Sequence, residues 1–472
     1  MTPAMGRSEI RNICKVSLDE PAESQPKLHN RWHPDIPFAD TIKNGETVKI
    51  ECVKLVRLFN ALYILYASNV LTELLPGNND SADDVKNVDL TRIHYLSGPF
   101  EIETAEPGDV LLVEIMDVQP HQEHPWGFAK AIWDFEGIYC TSRHIPHVKF
   151  PGLIHPGILG CAPSAQAFVC LLQDHPEVQN SYLAYWNSDL VLATWNKREG
   201  ELISANKLDR IVAQPPNPQN VHAGSASEDI KTKVGREGAR TIPGTAKDIS
   251  FFCHHSRPEH GGNCDIKNLS RGSKVYLPVH VKGAKFSVGD LHFSQGDGEI
   301  SFCGAIEMSG VITINFKVMK NGMADLGMKS PLYLPGPVEP HYGPGRYLTF
   351  EGFSVDHHGK QHYMDVTVAY RETTLRCIEY LRRFGYSDYQ IYLLLSCAPV
   401  QGHVAGIVDI PNACTTLGLP MDIFDFDISP TGPAKKLDMG SCAFETGVKE
   451  GEVSKGGANS EHSWGGGLTY KQ

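Results

Sequence analysis

A segment in the second half of the chain, residues 285–307, concentrates the side chains best able to do chemistry. It reads KFSVGDLHFSQGDGEISFCGAIE and holds acid, imidazole and amide groups at Asp290, His292, Gln295, Asp297, Glu299 and Glu307. Such groups are costly to bury unless they are paired or bind a metal. The glycines between them allow tight turns and a close approach of the backbone to a small ligand. The pattern favours a small-ligand pocket; the alternative is a β-hairpin whose charged side chains face solvent.

The spacing within this segment is compatible with a metal site. On a strand, Asp290 and His292 would project from the same face, because side chains alternate with a period of two. The QGDG turn could then return Asp297 and Glu299 towards that face. Imidazole and carboxylate ligands suit zinc, which activates water at an open position. The sequence contains no HExxH, CxxC or EF-hand pattern, so such a site would be of a non-standard type.

Three other segments contain polar residues of the same types. EHGGNCD places Asn263 and Asp265 beside a glycine pair. NNDSADDV includes Asn79 and three aspartates, Asp80, Asp83 and Asp84, which could supply oxygen ligands, polarise a substrate amide or simply lie in an exposed turn. The stretch 141–164 carries three histidines among prolines and glycines, at His144, His147 and His155. One histidine in a loop is more often a structural hydrogen-bonding residue, but three close together slightly favour a site.

A covalent alternative depends on Cys397, which lies at the end of a predicted helix. A stabilised thiolate there, with Glu307 beside it, would suit an acyl-enzyme mechanism. Buried cysteines are usually inert packing residues, so attack by an activated water is the favoured alternative.

Composition limits the class of protein and its partners. The chain has 472 residues, of which 41% are hydrophobic and 21% charged, so it can bury a large core. Its formal net charge of −12 argues against nucleic acid and anionic membranes as partners. The 12 cysteines have no regular spacing, and the first residues lack the apolar core of a secretory signal. These features predict a cytoplasmic protein with free thiols.

Turn-punctuated short strands dominate the pattern, which favours a mainly β (α+β) fold of sandwich or barrel type with a few helices. ETVKIECV at 46–53 and DVLLVEIMDVQ at 109–119 are the clearest strands. The exception is a helical region, where Leu375, Ile378 and Leu381 recur at helical spacing. Gly385 is expected to end the first helix and Ser387 to cap a second one.

We predict one continuous domain with two β-rich parts and flexible ends. The predicted boundaries are an extended N-terminal segment at 1–45, a first β-rich part at 46–250 with an atypical apolar insert at 53–77, a second β-rich part at 251–445 with helices near 372–396, and a flexible tail at 446–472.

Five blocks of the chain resemble the acetamidase/formamidase family, in particular its longer formamidases of fungal and bacterial type. The blocks begin NNDSADDVKNVDL, IWDFEGIYCTSRHIP, EHGGNCDIKNL, GDLHFSQGDGEISF and HVAGIVDIPNACTTL. They follow the order of the family over nearly the whole chain. Five collinear blocks are far more specific than any one of them.

The resemblance implies hydrolysis of a short aliphatic amide, with formamide giving formate and ammonia. It also implies a small-molecule amide as partner, a divalent metal ion for which zinc is the first candidate, and assembly into homo-oligomers. The metal ligands expected from it are His292, Asp297 and Asp265. The expected catalytic residues are Glu299, Glu307 and His292, and the expected substrate-binding residues are Asn263, Asn79, Asp80 and Gln295.

One segment departs from the family pattern. Between 53 and 77, about two dozen mostly apolar residues replace a short Asp-Trp-Thr-Gly-Gly-Gln-like turn. Because family blocks resume directly after it, we interpret the segment as a translated intron or a faulty gene model. If the protein is made as written, the lost turn would weaken the site beside Asn79 and Asp80, and a catalytically impaired amide-binding homologue becomes an alternative. A transcript that encodes the segment would rule the intron interpretation out.

Overall fold

The computed structural model describes residues 10–20, 22–29, 31–32, 36–53, 94–129, 131–162, 239–240, 260–301, 304–336, 346–356, 358–433 and 435–440. The insert after residue 53, the residues Asn79 and Asp80, and the predicted tail at 446–472 lie outside them.

Strands make up most of the regular structure in the described ranges. They are β1 Arg11–Cys14, β2 Leu28–His29, β3 Arg31–Trp32, β4 Asp40–Ile42, β5 Thr47–Cys52, β6 Leu96–Ile102, β7 Val110–Pro120, β8 Trp126–Phe128, β9 Ile132–Glu136, β10 Tyr139–Ser142, β11 Lys149–Pro151, β12 His155–Gly160, β13 Ala239–Arg240, β14 Gly261–Asn263, β15 Lys274–Pro278, β16 Phe286–His292, β17 Glu307–Met308, β18 Gly310–Met319, β19 Leu332–Leu334, β20 Tyr347–Phe353, β21 Gln401–Gly406 and β22 Cys414–Pro420. The α-helices are α1 Gly322–Asp325, α2 Val366–Leu381 and α3 Asp388–Cys397, and short 3₁₀ helices span Ala22–Ser24, Arg382–Phe384 and Met421–Ile423.

The first sheet has six strands in the order β1-β5-β18-β7-β15-β19. Its long strands β7 and β18 run antiparallel and pair from Gly310 opposite Pro120 to Met319 opposite Val110. Buried positions alternate with more exposed ones along β5 and along much of β7 and β18, as in a sheet with one face towards the core. The strands predicted at 46–53 and 109–119 correspond to β5 and β7, and both predictions are confirmed.

The second sheet follows the path β11-β10-β9-β8-β17-β16-β12-β14, and β6 joins it beside β16. Every residue of β16 is buried, because the strand has neighbours on both edges and covered faces. The two sheets face each other across one core, where the rings of Phe286 on β16 and Phe316 on β18 meet edge to face with centroids 4.9 Å apart. This arrangement places β16 in the middle of the molecule.

The helical region packs on a third, three-stranded sheet of order β20-β22-β21. The side chain of Asp365 caps α2. Gly385 ends the following 3₁₀ turn with a φ of 107°, a left-handed conformation that favours glycine. Ser387 and Gln390 form a capping box at the start of α3. The two predicted helices, the stop at Gly385 and the cap at Ser387 are therefore confirmed.

The mainly β fold with a few helices is confirmed. The N-terminal residues predicted as extended contribute β1, β2 and β4 to the two large sheets, while the predicted domain boundaries stay predictions. In the described part of the chain, none of the helices has the length and apolarity that crossing a lipid bilayer requires.

Candidate functional site

The candidate site forms on the second sheet, where three neighbouring strands carry one polar residue each at the same level. His292 ends β16 and lies opposite His155 of β12 on one side and opposite Glu307 of β17 on the other. Directly opposed residues on adjacent strands have their side chains within contact distance. The strand register therefore lines up two imidazoles and a carboxylate in a buried row.

Asp290 and His94 complete the centre of the cluster. Asp290 lies two residues before His292, and its Oδ1 is 3.5 Å from His292 Nε2. Glu307 Oε1 is 3.4 Å from the same Nε2. His94 immediately precedes the β6 region that pairs with β16, and its Nδ1 lies 3.0 Å from Asp290 Oδ1. Asp290 has a φ of 55°, a costly conformation for a residue with a Cβ, as is often found at functional sites.

The arrangement fits a metal ion. Among the described residues, two groups offer ligand atoms within 4.8 Å of one another, one formed by His94, Asp290 and Glu307 and the other by Asp265, Asp290 and His292. Apart from their ion-pair contacts with one another and with His94, the buried atoms Asp290 Oδ1, His292 Nε2 and Glu307 Oε2 have no hydrogen-bond partner among the described residues. Tetrahedral zinc with bonds of about 2.0–2.1 Å places its ligand atoms roughly 3.3 Å apart. The three separations of 3.0, 3.4 and 3.5 Å are close to that value.

Gly157 of β12 forms one wall of the cluster. A Cβ on this residue would lie 2.5 Å from His292 Cε1 and 2.7 Å from Asp290 Oδ2. Its carbonyl oxygen also accepts hydrogen bonds from the backbone N–H groups of Cys264, at 2.8 Å, and Asp265, at 3.1 Å. One glycine thus allows the close approach of the backbone to the cluster and holds the segment that carries Asp265.

The charges in the cluster shift one another's pKa values. Burial raises the pKa of Glu307, and the neighbouring charge of Asp290 raises it further, to about 8. Burial lowers the pKa of His94, but the carboxylate of Asp290 outweighs this effect and brings it to about 9. Burial would raise the pKa of Asp290, yet the charges of His94 and His292 hold it well below its usual range. The pKa of His292 is raised because Asp290 and Glu307 outweigh its burial.

Gln295 and His155 lie directly behind His292. Gln295 Oε1 is 3.1 Å from His155 Nε2 and 3.2 Å from His292 Nδ1, while its Nε2 donates to Asp265 O at 2.7 Å. Burial and the charge of His292 lower the pKa of His155 to about 3. The amide of Gln295 thus contacts protein groups on both sides, and its predicted role in substrate binding stays a prediction.

Asp297 is not in either group of candidate ligands. Its Oδ1 lies 2.8 Å from Nζ of the buried Lys267, and its Oδ2 accepts from the backbone N–H of Gly402 at 2.9 Å. Its backbone oxygen accepts from the hydroxyl of Tyr370 at 2.7 Å. Glu299 Oε1 accepts from the backbone N–H of Gly304 at 3.1 Å. The roles of Asp297 as ligand and of Glu299 in proton transfer stay predictions.

The other predicted residues are only partly described. Asn79 and Asp80 lie outside the described residues, and of Asn263 only the backbone, in β14, is described. Cys397 is fully buried at the end of α3, and its Sγ contacts Gly304 O at 3.3 Å. Of the three histidines in the 141–164 stretch, only His155 reaches the cluster, whereas His147 pairs with Asp425 at 3.0 Å.

Sequence reasoning missed His94 and Lys267 as members of the site and its support. His94 is a single histidine in TRIHYLSGPF, and Lys267 is one of many lysines, so neither has a local pattern that would mark it. Only the pairing of β6 with β16, and the packing of the 260–270 segment on residues 297 and 400, bring them into place.

Comparisons with known proteins agree on one family. The model of a family described as Acetamidase/Formamidase family matches residues 15–131 and 128–426. A Schizosaccharomyces pombe protein with the provisional name formamidase is 59% identical over 456 residues, covering 92% of this chain and 98% of that protein. The formamidase of Methylophilus methylotrophus is 44% identical over 451 residues, covering 91% of this chain and 97% of that protein. The solved γ-lactamase of Delftia acidovorans has 45% identity and a TM-score of 0.68, covering 90% of this chain and 96% of that one.

Proposed function

The chain belongs to the acetamidase/formamidase family and is an amidohydrolase, and we propose that its substrate is formamide, which it converts into formate and ammonia. The observation that carries this proposal is the buried cluster of His94, Asp290, His292 and Glu307, in which three polar atoms have no partner in the described protein beyond the ion-pair contacts within the cluster. Such a cluster suits hydrolysis by an activated water.

We propose that Asp265, Asp290 and His292 hold a divalent ion, zinc being the first candidate, with His94 beside Asp290 at the edge of the same cluster. Neutral imidazole nitrogens and carboxylate oxygens are ordinary zinc ligands. When bound, such an ion supplies Lewis-acid polarisation of an amide carbonyl and activation of water. Asp297 is not part of this proposed set, because its carboxylate already pairs with Lys267.

Glu307 is the proposed proton-transfer residue. It is 3% exposed, and its Oε2 has no hydrogen bond from the described protein, so this oxygen remains available to a water or an amide. Glu307 takes one proton from the attacking water as the C–O bond forms. It then delivers this proton to the amide nitrogen as the C–N bond breaks, because ammonia leaves far more easily than an amide anion. Glu299, whose Oε1 already accepts from Gly304, fits this role less well.

The thiol mechanism has less support than activated water. Cys397 is fully buried, and its Sγ contacts the backbone oxygen of Gly304. A thiol nucleophile needs a neighbouring base or positive charge that favours the thiolate, and a backbone oxygen is neither. The candidate metal ligands come from other elements, on β16, β17 and the segment before β6.

One experiment on purified protein tests both mechanisms. Ammonia release is measured with formamide, acetamide and a γ-lactam, before and after chelation and after return of zinc. We expect formamide turnover, loss of activity on chelation and recovery with zinc. Glu307→Gln should lower kcat by about 10²–10⁴-fold, and Cys397→Ser should retain activity. An enzyme that is insensitive to chelation and inactive as Cys397→Ser would refute the metal mechanism.

We further propose a homo-oligomer located in the cytoplasm, as the family resemblance and the composition predict. Light scattering coupled to size-exclusion chromatography measures the first property, and imaging of the tagged protein in its own cells measures the second.

A further inference from the structure

We propose that Gln295 is a positioning residue for His292: it holds a hydrogen on Nδ1 and so leaves Nε2 as the ring atom that faces the carboxylates and a metal ion. The inference rests on the proposed function, because it concerns the metal ligand of that site. It replaces the predicted substrate-binding role of Gln295.

The first step is the orientation of the Gln295 amide. Its Nε2 donates to the backbone oxygen of Asp265 at 2.7 Å, and only the nitrogen end of an amide can donate to a carbonyl oxygen. Oε1 must therefore be the end that faces the two imidazoles. The buried Gln295 side chain thus presents an acceptor, not a donor, to His292.

The second step is the hydrogen on His155. Its Nδ1 lies 2.6 Å from the backbone oxygen of Leu153, so Nδ1 carries a hydrogen and donates it. Neither of the candidate ligand groups contains His155, and its described polar contacts are Leu153 O, Gln295 Oε1 and His292 Nδ1. The other ring nitrogen, Nε2, is thereby turned towards Gln295 Oε1, at 3.1 Å, and His292 Nδ1, at 3.3 Å, so His155 packs against the amide and the ring of His292 from one side.

The third step follows from the amide oxygen of Gln295. His292 Nδ1 lies 3.2 Å from Gln295 Oε1, and because this oxygen can only accept, Nδ1 carries the hydrogen of the contact. Nε2 is then the ring atom that faces the carboxylates, at 3.5 Å from Asp290 Oδ1 and 3.4 Å from Glu307 Oε1. This geometry presents Nε2, together with the carboxylates, to a bound cation.

The test compares zinc affinity, measured by competition with a chromophoric chelator, and the visible spectrum of the cobalt-substituted protein. Gln295→Leu removes the acceptor, and Gln295→Glu keeps an acceptor oxygen behind Nδ1. The matched control is Gln25→Leu, because Gln25 is 4% exposed against 3% for Gln295, and its described partners are backbone atoms of Ser17 and Glu20 outside the cluster. We expect Gln295→Leu to weaken zinc binding by about 10–100-fold and to change the cobalt spectrum.

Gln295→Glu should recover most of the zinc affinity, and Gln25→Leu should bind zinc like the unmodified protein. The inference is overturned if Gln295→Leu keeps the original affinity and spectrum, or if Gln25→Leu loses as much affinity. An unmodified protein that hydrolyses formamide but binds no zinc would overturn both this inference and the proposed metal site. A protein that binds zinc without hydrolysing any amide would refute the proposed function alone.

Discussion

The contact between Asp297 and Lys267 allows the clearest test of how the site is supported. Lys267 Nζ, on a side chain only 6% exposed, donates to Asp297 Oδ1 at 2.8 Å and to Val400 O at 2.7 Å. Asp297→Ala would leave this ammonium buried without its carboxylate, which typically costs 3–5 kcal/mol. Because Asp297 itself is 34% exposed, water can reach the vacated position, and we expect the lower end of that range, about 3 kcal/mol.

This loss converts into a measurable shift in Tm. An unfolding entropy of roughly 2.1 cal/mol/K per residue gives about 1 kcal/mol/K for a chain of this size, so Tm should fall by about 3 °C. Calorimetry of the purified protein measures the shift. The control is Glu114→Ala, which removes the partner of Lys274 in an exposed pair at 3.4 Å and should cost less than about 1 kcal/mol. Adding Lys267→Met to Asp297→Ala removes the stranded charge and should restore at least half of the lost Tm.

The same variant separates a supporting role from a ligand role. If Asp297 supports the site through Lys267, the Asp297→Ala protein keeps its zinc content while its Tm falls. A variant with unchanged Tm and no bound zinc would show that this reasoning is wrong and that Asp297 is a ligand, as the sequence pattern suggested.

The remaining predictions concern one wall of the site and one helix cap. Gly157→Ala should abolish zinc binding and turnover, because the new Cβ would lie 2.5 Å from His292 Cε1. The control is Gly406→Ala, whose Cβ would have no atom within 4 Å, and it should bind zinc and release ammonia like the unmodified protein. Normal zinc content in Gly157→Ala would contradict the assigned wall. Ser387→Ala removes the N-cap of α3 and should lower stability by about 1 kcal/mol, or Tm by about 1 °C, without changing turnover. An unchanged Tm in calorimetry would show that Gln390 and the packing of α3 stabilise the helix start without the Ser387 side chain.

Local patterns predicted the parts of the site that depend on neighbouring residues. The period of two placed Asp290 and His292 on one face, and their side chains do meet in the structure. Helical spacing with a cap and a stop residue predicted the two helices. The period of two ends with β16 at His292, and the return of Asp297 and Glu299, expected from the QGDG turn, stays a prediction. The chain then turns away, and Asp297 meets Lys267 and Gly402.

The other members of the cluster are brought together by pairing between strands that are distant in sequence. Glu307 reaches His292 because β17 pairs with the last two residues of β16, a register that no local pattern fixes. His155 lies on β12 and His94 just before β6, and both elements precede β16 by long stretches of chain. Lysines usually lie on the surface, so the sequence did not indicate that Lys267 is buried. Composition and spacing could therefore identify the segment that carries the chemistry, but not its partners from other strands.

The distribution of the cluster over distant strands has a consequence for the life of the protein in the cell. In an unfolded chain only Asp290 and His292 are near neighbours, and the other members of the cluster are far away along the sequence, so the site is not assembled and its affinity is weak. Any cation that the cluster binds must therefore enter after synthesis and strand assembly are complete. Once inside, it adds stability in proportion to the logarithm of its free concentration, since it binds the native state alone. Supply of the ion would then govern how long each molecule survives as well as how fast it works.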